Sequence, residues 1–127
     1  MKALSVRQPW AALIATGIKT IETRTWATSY RGDLLICSGL KPFKIDEEFG
    51  PWKSLNLIYG HALCVVKLTD CRPMVDADCD LACCAVYNRA YSWVLEDIRP
   101  IQPFDVKGQL RLFEVDVTCH QEITKLL

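Results

Sequence analysis

The sequence predicts an α+β fold, a small and partly open β-barrel of about six mostly antiparallel strands, with a short helix after the first strand and one or two minor helices. The 127 residues are the length of a single domain, and neither an internal repeat nor a Gly/Ser-rich linker divides them. Short apolar or alternating runs recur between turn residues, which is typical of strands, whereas helical spacing is confined to a few segments.

The first strand and the first helix are predicted from residues 3–17. Residues 3–6 form a short, largely apolar run that is typical of a strand. Pro9 suits the first turn of a helix, because the N–H that proline lacks has no partner at that position. Apolar residues then recur at three- and four-residue spacing from Trp10, and Gly17 suits the left-handed residue that ends a helix.

The second strand is predicted over residues 20–26, which alternate and are rich in β-branched side chains. Since successive side chains of a strand point to opposite faces, Glu22, Arg24 and Trp26 should share one face. Lys19 lies at the turn just before this strand. The segment is therefore expected to bring two basic side chains, a carboxylate and an aromatic ring close together.

The remaining elements are assigned from similar runs. Strands are predicted at residues 34–37, at residues 57–69 with a bend at Gly60, at residues 91–98 and at residues 110–117. A helix is predicted at residues 76–87, capped by Asp76 or Asp78 and packing Leu81, Cys84 and Ala85 inwards. Residues 101–106 are expected to be extended around Pro103, residues 41–56 to form a loop with a helical turn near residues 45–49, and residues 118–127 have no assigned element.

Charge and composition limit the class of partner. Half of the residues are hydrophobic and 24% are charged, as in ordinary soluble globular proteins. The formal net charge is zero, which argues against tight binding to a long duplex through its phosphates. Residues 1–33 nevertheless hold five basic and two acidic side chains, and residues 70–80 hold one basic and four acidic ones. This uneven distribution favours a local site for an anion.

Location and redox state are predicted from the apolar runs and the cysteines. No apolar run approaches the ~20 residues that cross a bilayer, so no membrane partner is expected. The apolar run at residues 10–15 is too short for a signal peptide, so we expect a cytoplasmic location. The seven cysteines include Cys79, Cys83 and Cys84 but no Cys-x-x-Cys motif. Reduced, mostly buried thiols are favoured over a zinc site, and neither a metal nor another cofactor is expected.

Gln8 and Trp10 are candidate ligand-binding residues at the start of the predicted helix. The Gln8 amide offers a donor and an acceptor, which suits the edge of a nucleobase and equally suits the free N–H groups of the helix. The Trp10 ring offers a surface for a stacked base, a contact worth ~1–3 kcal/mol. Its spacing with Leu13 and Ile14 is equally typical of core packing, so both alternatives stay open for each residue.

Lys19 and Glu22 are the candidate catalytic residues, and both are also candidate ligand contacts. A lysine neutralised by burial accepts a proton, whereas a lysine paired with Glu22 stays cationic and stabilises a phosphate or a developing oxyanion. Arg24, on the same strand face, suits a bidentate phosphate contact or stacking on a base. The structural alternatives are a solvated pair between Lys19 and Glu22 and an intrastrand salt bridge between Glu22 and Arg24.

Three further candidates for ligand binding come from later strands. Tyr91 and Trp93 share one face of their strand, an arrangement that either flanks a flat ligand or packs the inside of a barrel. Ser38 follows a buried strand and is placed to hydrogen-bond a ligand at the mouth of the barrel. The two histidines, His61 and His120, have no acid at a spacing that indicates a catalytic triad.

Several motifs together resemble those of the activating signal cointegrator homology (ASCH) domain family. They are RQPWA at residues 7–11, GIKTIETR at residues 17–24, YRG at residues 30–32, DC at residues 70–71 and YSWVL at residues 91–95. The resemblance extends over residues 4–117 and is to small standalone bacterial or phage members. It implies a barrel like that of pseudouridine synthase and archaeosine transglycosylase (PUA-like), a fold shared with several RNA-binding modules. It also implies a cleft between barrel and first helix, lined by the Gly-x-Lys-x-x-Glu-x-Arg segment.

The resemblance leaves three functions to consider. The first is a binding module whose partner is RNA, another single-stranded nucleic acid or a modified nucleoside. The second is a small hydrolase, because one branch of the family deacylates N4-acetylcytidine with a lysine, a threonine three residues later and a distant glutamate. Lys19 matches that lysine, whereas Glu22 stands in the position of the threonine. In a hydrolase of this kind, whether an amidohydrolase or a ribonuclease, Lys19 and Glu22 would be the catalytic pair. The third is a protein-interaction adaptor in a transcription or translation assembly.

Overall fold

We describe residues 1–43 and 54–127 from a computed structural model. Six strands are present in these residues: β1 (Lys2–Val6), β2 (Ile21–Arg24), β3 (Gly32–Ser38), β4 (His61–Pro73), β5 (Tyr91–Asp105) and β6 (Leu112–Glu114). Their helices are α1 (Trp10–Ala15), α2 (Cys79–Ala82), which continues from a 3₁₀ turn at Asp76–Asp78, and α3 (Gln121–Thr124). None of these helices is long and apolar enough to cross a membrane.

The described strands form a mixed sheet in the order β2-β5-β4-β3-β1-β6. Among them, β1 and β3 run parallel, and the other neighbouring pairs are antiparallel. The sheet curls into half a barrel, so that its two edges approach each other. Arg24 at the end of β2 therefore reaches β1, where its Nη2 donates a hydrogen bond to the Ser5 carbonyl oxygen (2.9 Å). The predicted α+β fold with a small, partly open barrel is confirmed.

The main core lies where α1 packs against the sheet. The apolar spacing predicted for this helix is present, and Ala11 and Ile14 are buried in one cluster with Leu34, Ile36 and Trp93. Burying an aliphatic or aromatic side chain of this size stabilises the fold by ~1.5–3 kcal/mol. Because α1 is anchored by this apolar face, the turn that follows it enters β2 from a fixed position.

The helix predicted over residues 76–87 is much shorter in the structure. α2 ends at Ala82 because Cys83 adopts a left-handed conformation with φ of 57°. Ala82 is buried, whereas Leu81, which was predicted to pack inwards, is 50% exposed. Asp78 precedes α2 but makes no side-chain capping hydrogen bond to it. The prediction of a long capped helix was therefore wrong, and most of this segment is turn and loop.

The strand β5 continues through Pro100 and Pro103, where the sequence predicted two separate segments. Opposite these prolines the register with β4 shifts between Ala62 and Cys64. A shift of this kind tolerates residues that cannot donate a ladder hydrogen bond, so the strand bends without ending. The last predicted strand is shortened to β6, three residues long.

One further boundary differs from the sequence prediction, one element is additional, and one prediction is not tested. β4 begins at His61, directly after the predicted bend at Gly60, whose φ is 69°. α3 lies in the C-terminal segment to which the sequence gave no element. Most of the loop predicted at residues 41–56, including the helical turn near residues 45–49, lies outside the described residues.

Candidate functional site

A cleft of about 500 Å³ opens at the seam where β2 approaches β1. Its walls come from the end of β1, the start of α1, β2 with the residues after it, and the chain that follows α2. The charged and large aromatic side chains on these walls include Arg7, Lys19, Glu22, Arg24, Trp10 and Trp26. Three basic side chains face one carboxylate, so the cleft favours an anionic ligand.

Lys19 is buried at the base of this cleft because the turn after α1 directs it inwards. Gly17 has φ of 82°, and the Lys19 N–H donates to the Leu13 carbonyl oxygen (3.0 Å) to close the end of the helix. The Lys19 side chain is 1% exposed, and its Nζ lies 3.4 Å from the Glu22 Oε1. The same Nζ donates a hydrogen bond to the Ala82 carbonyl oxygen.

Glu22 is a buried carboxylate that is surrounded by donors. Its Oε1 accepts from the Thr23 N–H (3.0 Å) and faces Lys19, while its Oε2 accepts from Arg24 Nη2 (3.0 Å). An ionised carboxylate is expensive to bury unless such partners are present. Since two cations surround one anion, the cluster of Lys19, Glu22 and Arg24 carries an excess positive charge on the cleft wall.

Arg24 is held in place and yet incompletely paired. Its Nη2 is shared between the Glu22 carboxylate and the Ser5 carbonyl oxygen, which fixes the guanidinium across the seam. Its Nε is buried and has no hydrogen-bond partner among residues 1–43 and 54–127. A buried donor without a partner costs ~1–3 kcal/mol, so the folded chain tolerates an unsatisfied group at the wall of this cleft.

Two tryptophans flank the charged cluster. The Trp10 ring makes an edge contact with Phe43, with centroids 6.2 Å apart at 68°. The Trp26 ring packs edge-on against Trp93 (4.8 Å, 84°), and the Trp93 Nε1 donates to the Trp26 carbonyl oxygen (3.3 Å). The Arg111 guanidinium lies 4.8 Å from the Trp26 ring centroid. Both rings are thus oriented by packing before any ligand enters the cleft.

Gln8 and Ser38 lie away from this cleft. Gln8 is buried, its Oε1 accepts from the Ala12 N–H (2.9 Å) and its Nε2 donates to the Ile58 carbonyl oxygen (2.8 Å). This geometry corresponds to the helix-capping alternative for Gln8. Ser38 is buried at the end of β3, where its Oγ accepts from the His61 N–H (3.2 Å), and it lines a different cavity.

Tyr91 and Trp93 lie beneath the cleft in β5. They are the cross-strand partners of Arg24 and Glu22 respectively. Trp93 is fully buried, and Tyr91 packs against the same core cluster. The structure therefore brings four of the predicted site residues together on the cleft wall and leaves four off it. The first four are Trp10, Lys19, Glu22 and Arg24, and the others are Gln8, Ser38, Tyr91 and Trp93.

The chain was compared with protein families and known proteins. The family model described as the ASCH domain matches residues 4–105. The chain belongs to the ASCH domain family. It is also similar to the protein named activating signal cointegrator 1 from Homo sapiens and from Mus musculus, with 27% identity in each case. Each alignment covers 96% of this chain and 23% of the relative, so the chain spans about a quarter of the length of these relatives.

Solved structures of the family share the fold of this ASCH domain. The ASCH protein from Zymomonas mobilis superposes with a TM-score of 0.66 at 14% sequence identity, over 98% of this chain and 94% of that one. A single-residue variant of the same protein superposes with a TM-score of 0.62 at 13% identity, over 98% and 96% of the two chains. At this level of identity the likeness concerns the fold alone.

Several residues of the ASCH cleft were not proposed as site residues from the sequence. The signal for Trp26 was present, because strand alternation placed it on the face of Glu22 and Arg24. Cys84 and Tyr87 enter the cleft from the chain after α2, more than fifty residues later, and no local pattern indicates this. The Ala82 carbonyl oxygen that Lys19 contacts is a backbone atom, for which a sequence carries no signature.

Asp78 anchors the segment that supplies these distant residues. Its carboxylate accepts two hydrogen bonds from the Arg72 guanidinium (2.7 and 2.8 Å), one from Ser92 Oγ (2.8 Å) and one from the Val75 N–H (3.1 Å). The hydrogen bonds from Arg72, above all, hold the pKa of the Asp78 carboxyl well below its usual range. The carboxylate thereby ties the start of α2 to β4 and β5, and so positions the Ala82 carbonyl over Lys19.

The cysteines of this ASCH domain are free thiols. Burial raises the pKa of Cys37 and of Cys64 to about 12, which leaves both thiols protonated and unreactive at neutral pH. Cys84 lies on the cleft wall, with its Sγ 3.8 Å from the Thr23 Oγ1. Within the described ranges, no three His, Cys, Asp or Glu side chains are grouped as metal ligands.

Proposed function

We propose that this ASCH domain binds a nucleotide of single-stranded RNA, or a modified nucleoside, in the cleft at the seam. The observation that carries the proposal is the Arg24 guanidinium. It is fixed by Glu22 and Ser5 on the cleft wall, and its buried Nε has no partner among the described residues. A fixed and incompletely paired guanidinium is suited to a phosphate or to the carbonyl groups of a base.

The size and the walls of the cleft support a ligand of this class. Its volume of about 500 Å³ falls within the usual range for small-molecule sites. Trp10 supplies an aromatic wall, and stacking a base on such a ring is worth ~1–3 kcal/mol. Arg7 and Lys19 add positive charge on either side of Arg24. The PUA-like character of the fold, shared with several RNA-binding modules, points in the same direction.

The zero net charge limits the kind of nucleic acid that this cleft is suited to bind. Sequence-independent affinity for long nucleic acids comes largely from many phosphate contacts. The positive charge of this chain is concentrated near one cleft, while residues 70–80 are acidic. We therefore favour recognition of a short single-stranded segment over binding of a duplex.

Hydrolysis is the second candidate, and the distance of 3.4 Å between Lys19 Nζ and Glu22 Oε1 at the cleft wall favours it. Such a pair can in principle exchange a proton with a bound substrate. Glu22, however, accepts hydrogen bonds from Thr23 and Arg24 as well as facing Lys19. Both carboxylate oxygens of Glu22 are thus already engaged by groups of the protein, which leaves them less available to a substrate, so we place hydrolysis after binding.

The test combines a binding measurement with product analysis. Wild-type protein and the variants Arg24→Met and Lys67→Met are titrated with a short single-stranded RNA and with cytidine and N4-acetylcytidine. Arg24→Met should weaken binding about tenfold or more, because it removes a charged donor fixed at the site. Lys67→Met is the matched control, since Lys67 is exposed on β4 and does not line the cleft.

The same mixtures are then analysed by mass spectrometry. Binding that Arg24→Met weakens and Lys67→Met leaves intact, without product, supports the binding module. Product from wild type that Lys19→Met abolishes would establish the hydrolase instead. No binding of any of these ligands to the folded wild-type protein would overturn both functions. A thermal melt of each variant ensures that loss of binding is not loss of fold.

A further inference from the structure

A second cavity of about 360 Å³ lies beside the first cleft. It is formed between the turn that follows β3 and the loop that joins β5 to β6. Its polar and apolar lining includes Ser5, Ser38, Leu40, Lys107, Gln109 and Leu110. Apart from Ser5, whose carbonyl oxygen holds Arg24, none of these residues has a role in the function proposed above.

The two cavities share one lining residue, Ser5. The Ser5 carbonyl oxygen accepts the hydrogen bond from Arg24 in the first cleft. Its hydroxyl faces the second cavity, where a Cβ added to Gly108 would stand only 2.9 Å from the Ser5 Oγ. The glycine therefore lets the loop before β6 approach β1 closely, so that a single residue separates the two cavities.

Two polar side chains of the second cavity lack partners in the described part of the chain. Lys107 and Gln109 are exposed, and neither forms an ion pair or a hydrogen bond with residues 1–43 and 54–127. Lys107 is the charged residue of this lining, so the cavity is positive. An ammonium and an amide on the wall of a concave surface can contact a phosphate and the edge of a base.

The rim of the second cavity is apolar. Leu40 and Leu110 are 77% and 93% exposed, the two largest exposed fractions among the large hydrophobic residues of the described chain. They stand on the two segments that form the opposite sides of the cavity. The apolar face of a base can pack against two exposed side chains of this size that stand on opposite sides of one cavity.

We propose that the second cavity is a subsite for the nucleotide next to the one in the first cleft, so that the ligand is a single-stranded oligonucleotide and not a free nucleoside. This inference rests on the function proposed above. Lys107 contacts either the phosphate that joins the two nucleotides or the phosphate that follows the second nucleotide. The Leu40 and Leu110 side chains pack against the second base. The position of the two cavities on either side of Ser5 and the positive charge of Lys107 favour this occupant over an apolar peptide segment.

The experiment measures how affinity depends on chain length. Cytidine 5′-monophosphate and the 5′-phosphorylated di- and trinucleotides of cytidine are titrated at several salt concentrations into wild type, Lys107→Met, Leu110→Ser and Lys67→Met. Wild type should bind the dinucleotide about fivefold or more tightly than the monophosphate, since the second nucleotide adds an ion pair with Lys107 and apolar contacts with Leu40 and Leu110. Lys67→Met, an exposed lysine outside both cavities, should leave all affinities unchanged.

The Lys107→Met variant should act only on the longer ligands. Its dinucleotide affinity should fall about twofold to fivefold, as expected for one exposed ion pair. The slope of log K against log salt should decrease by about 0.7, the value for one phosphate of a single strand. Monophosphate affinity should not change. Leu110→Ser should likewise weaken the dinucleotide alone, but without changing the salt slope.

The possible outcomes separate this inference from the proposed function. Equal affinity for the monophosphate and the dinucleotide, unchanged in Lys107→Met, would overturn the second subsite and leave the first cleft as the binding site. The second subsite would also be overturned if Lys67→Met abolished the dependence of affinity on ligand length as strongly as Lys107→Met does. A peptide that competes with the dinucleotide for wild type, but not for Leu110→Ser, would assign Leu40 and Leu110 to a protein partner. Absence of all binding would refute the proposed function itself.

Discussion

Two buried carboxylates in this domain, Asp78 and Glu22, have similar surroundings but differ in how completely the neighbouring arginine is paired. Asp78 accepts hydrogen bonds from the Arg72 guanidinium, a serine hydroxyl and a backbone N–H. Glu22 accepts hydrogen bonds from the Arg24 guanidinium and a backbone N–H, and it faces the Lys19 ammonium. Each acid therefore lies within the fold with an arginine and a backbone donor beside it.

The difference lies in the arginines. Arg72 directs both of its Nη atoms at Asp78, and that pair lines neither of the cavities described above. Arg24 shares one Nη between two acceptors and leaves its buried Nε without a partner in the described chain, on the wall of a cleft. Burial and pairing are therefore similar in the two clusters, and the feature that differs is the unsatisfied donor of Arg24 beside a cavity.

The largest effect on the free energy of unfolding is expected when the cluster of Asp78 and Arg72 is broken. Asp78→Ala leaves Arg72, the buried Ser92 hydroxyl and the Val75 N–H without their acceptor. Removing one partner of a buried pair costs ~3–5 kcal/mol, and we expect about 3 kcal/mol because Arg72 is partly exposed. Urea unfolding measures the loss. A loss below about 1 kcal/mol would show that Asp78 does not anchor α2.

The same cluster should dominate part of the acid dependence of stability. The pKa of the Asp78 carboxyl is held below its unfolded value of about 3.9, so its contribution is complete above that pH and is lost as the pH falls. Below it the unfolded chain takes up a proton that the native state excludes, and the free energy of unfolding falls by up to ~1.4 kcal/mol per pH unit. Urea midpoints between about pH 5 and about pH 3 measure this slope.

The matched variant for this pH dependence is Asp78→Asn, which has no proton to take up at this position. Its free energy of unfolding should be lower than that of wild type at neutral pH, and it should fall less steeply with acid. Equal slopes for the two proteins would contradict the assignment of this acid dependence to Asp78.

The smallest effect on stability is expected in the cluster of Lys19, Glu22 and Arg24. Glu22→Gln preserves the side-chain shape and removes one negative charge from a group whose two cations border a cleft. Because the glutamine keeps an oxygen that accepts hydrogen bonds from the donors around this position, the cost should be about 1 kcal/mol. Affinity for an anionic ligand should rise, because the excess positive charge increases. Titration with cytidine 5′-monophosphate measures the second effect.

The control for this variant is Glu96→Gln, since Glu96 is exposed on β5 away from the cleft. It should change neither the free energy of unfolding nor the affinity. If Glu22→Gln were as destabilising as Asp78→Ala, the two clusters would be equivalent structural pairs and the comparison between them would fail.

The sequence predicted the elements that depend on local pattern. The spacing from Trp10 gave α1, Gly17 gave its end, and the alternation of residues 20–26 gave β2 with Glu22 and Arg24 on one face. These elements surround half of the cleft. They were predictable because short-range periodicity determines which face of a short element is buried.

The other half of the site depends on contacts between distant segments. Whether Gln8 meets a ligand or caps α1 is decided by the Ile58 carbonyl, fifty residues away. The early end of α2 follows from one left-handed residue, Cys83, whose conformation no propensity scale indicates. β5 passes through two prolines because a register shift in β4 accommodates them. In each case a tertiary contact overrides the local preference.

The curled sheet is closed by side chains and not by a ladder of backbone hydrogen bonds. β2 and β6 are the edges of the sheet, and Arg24 with Ser5 and Arg111 with Trp26 bridge the gap between them. A ladder opens cooperatively, whereas two side-chain bridges can be lost one at a time. A ligand seated at this gap adds a third bridge between the same edges. In the function proposed above, recognition of the ligand and closure of the barrel therefore depend on the same few atoms of Arg24 and Ser5.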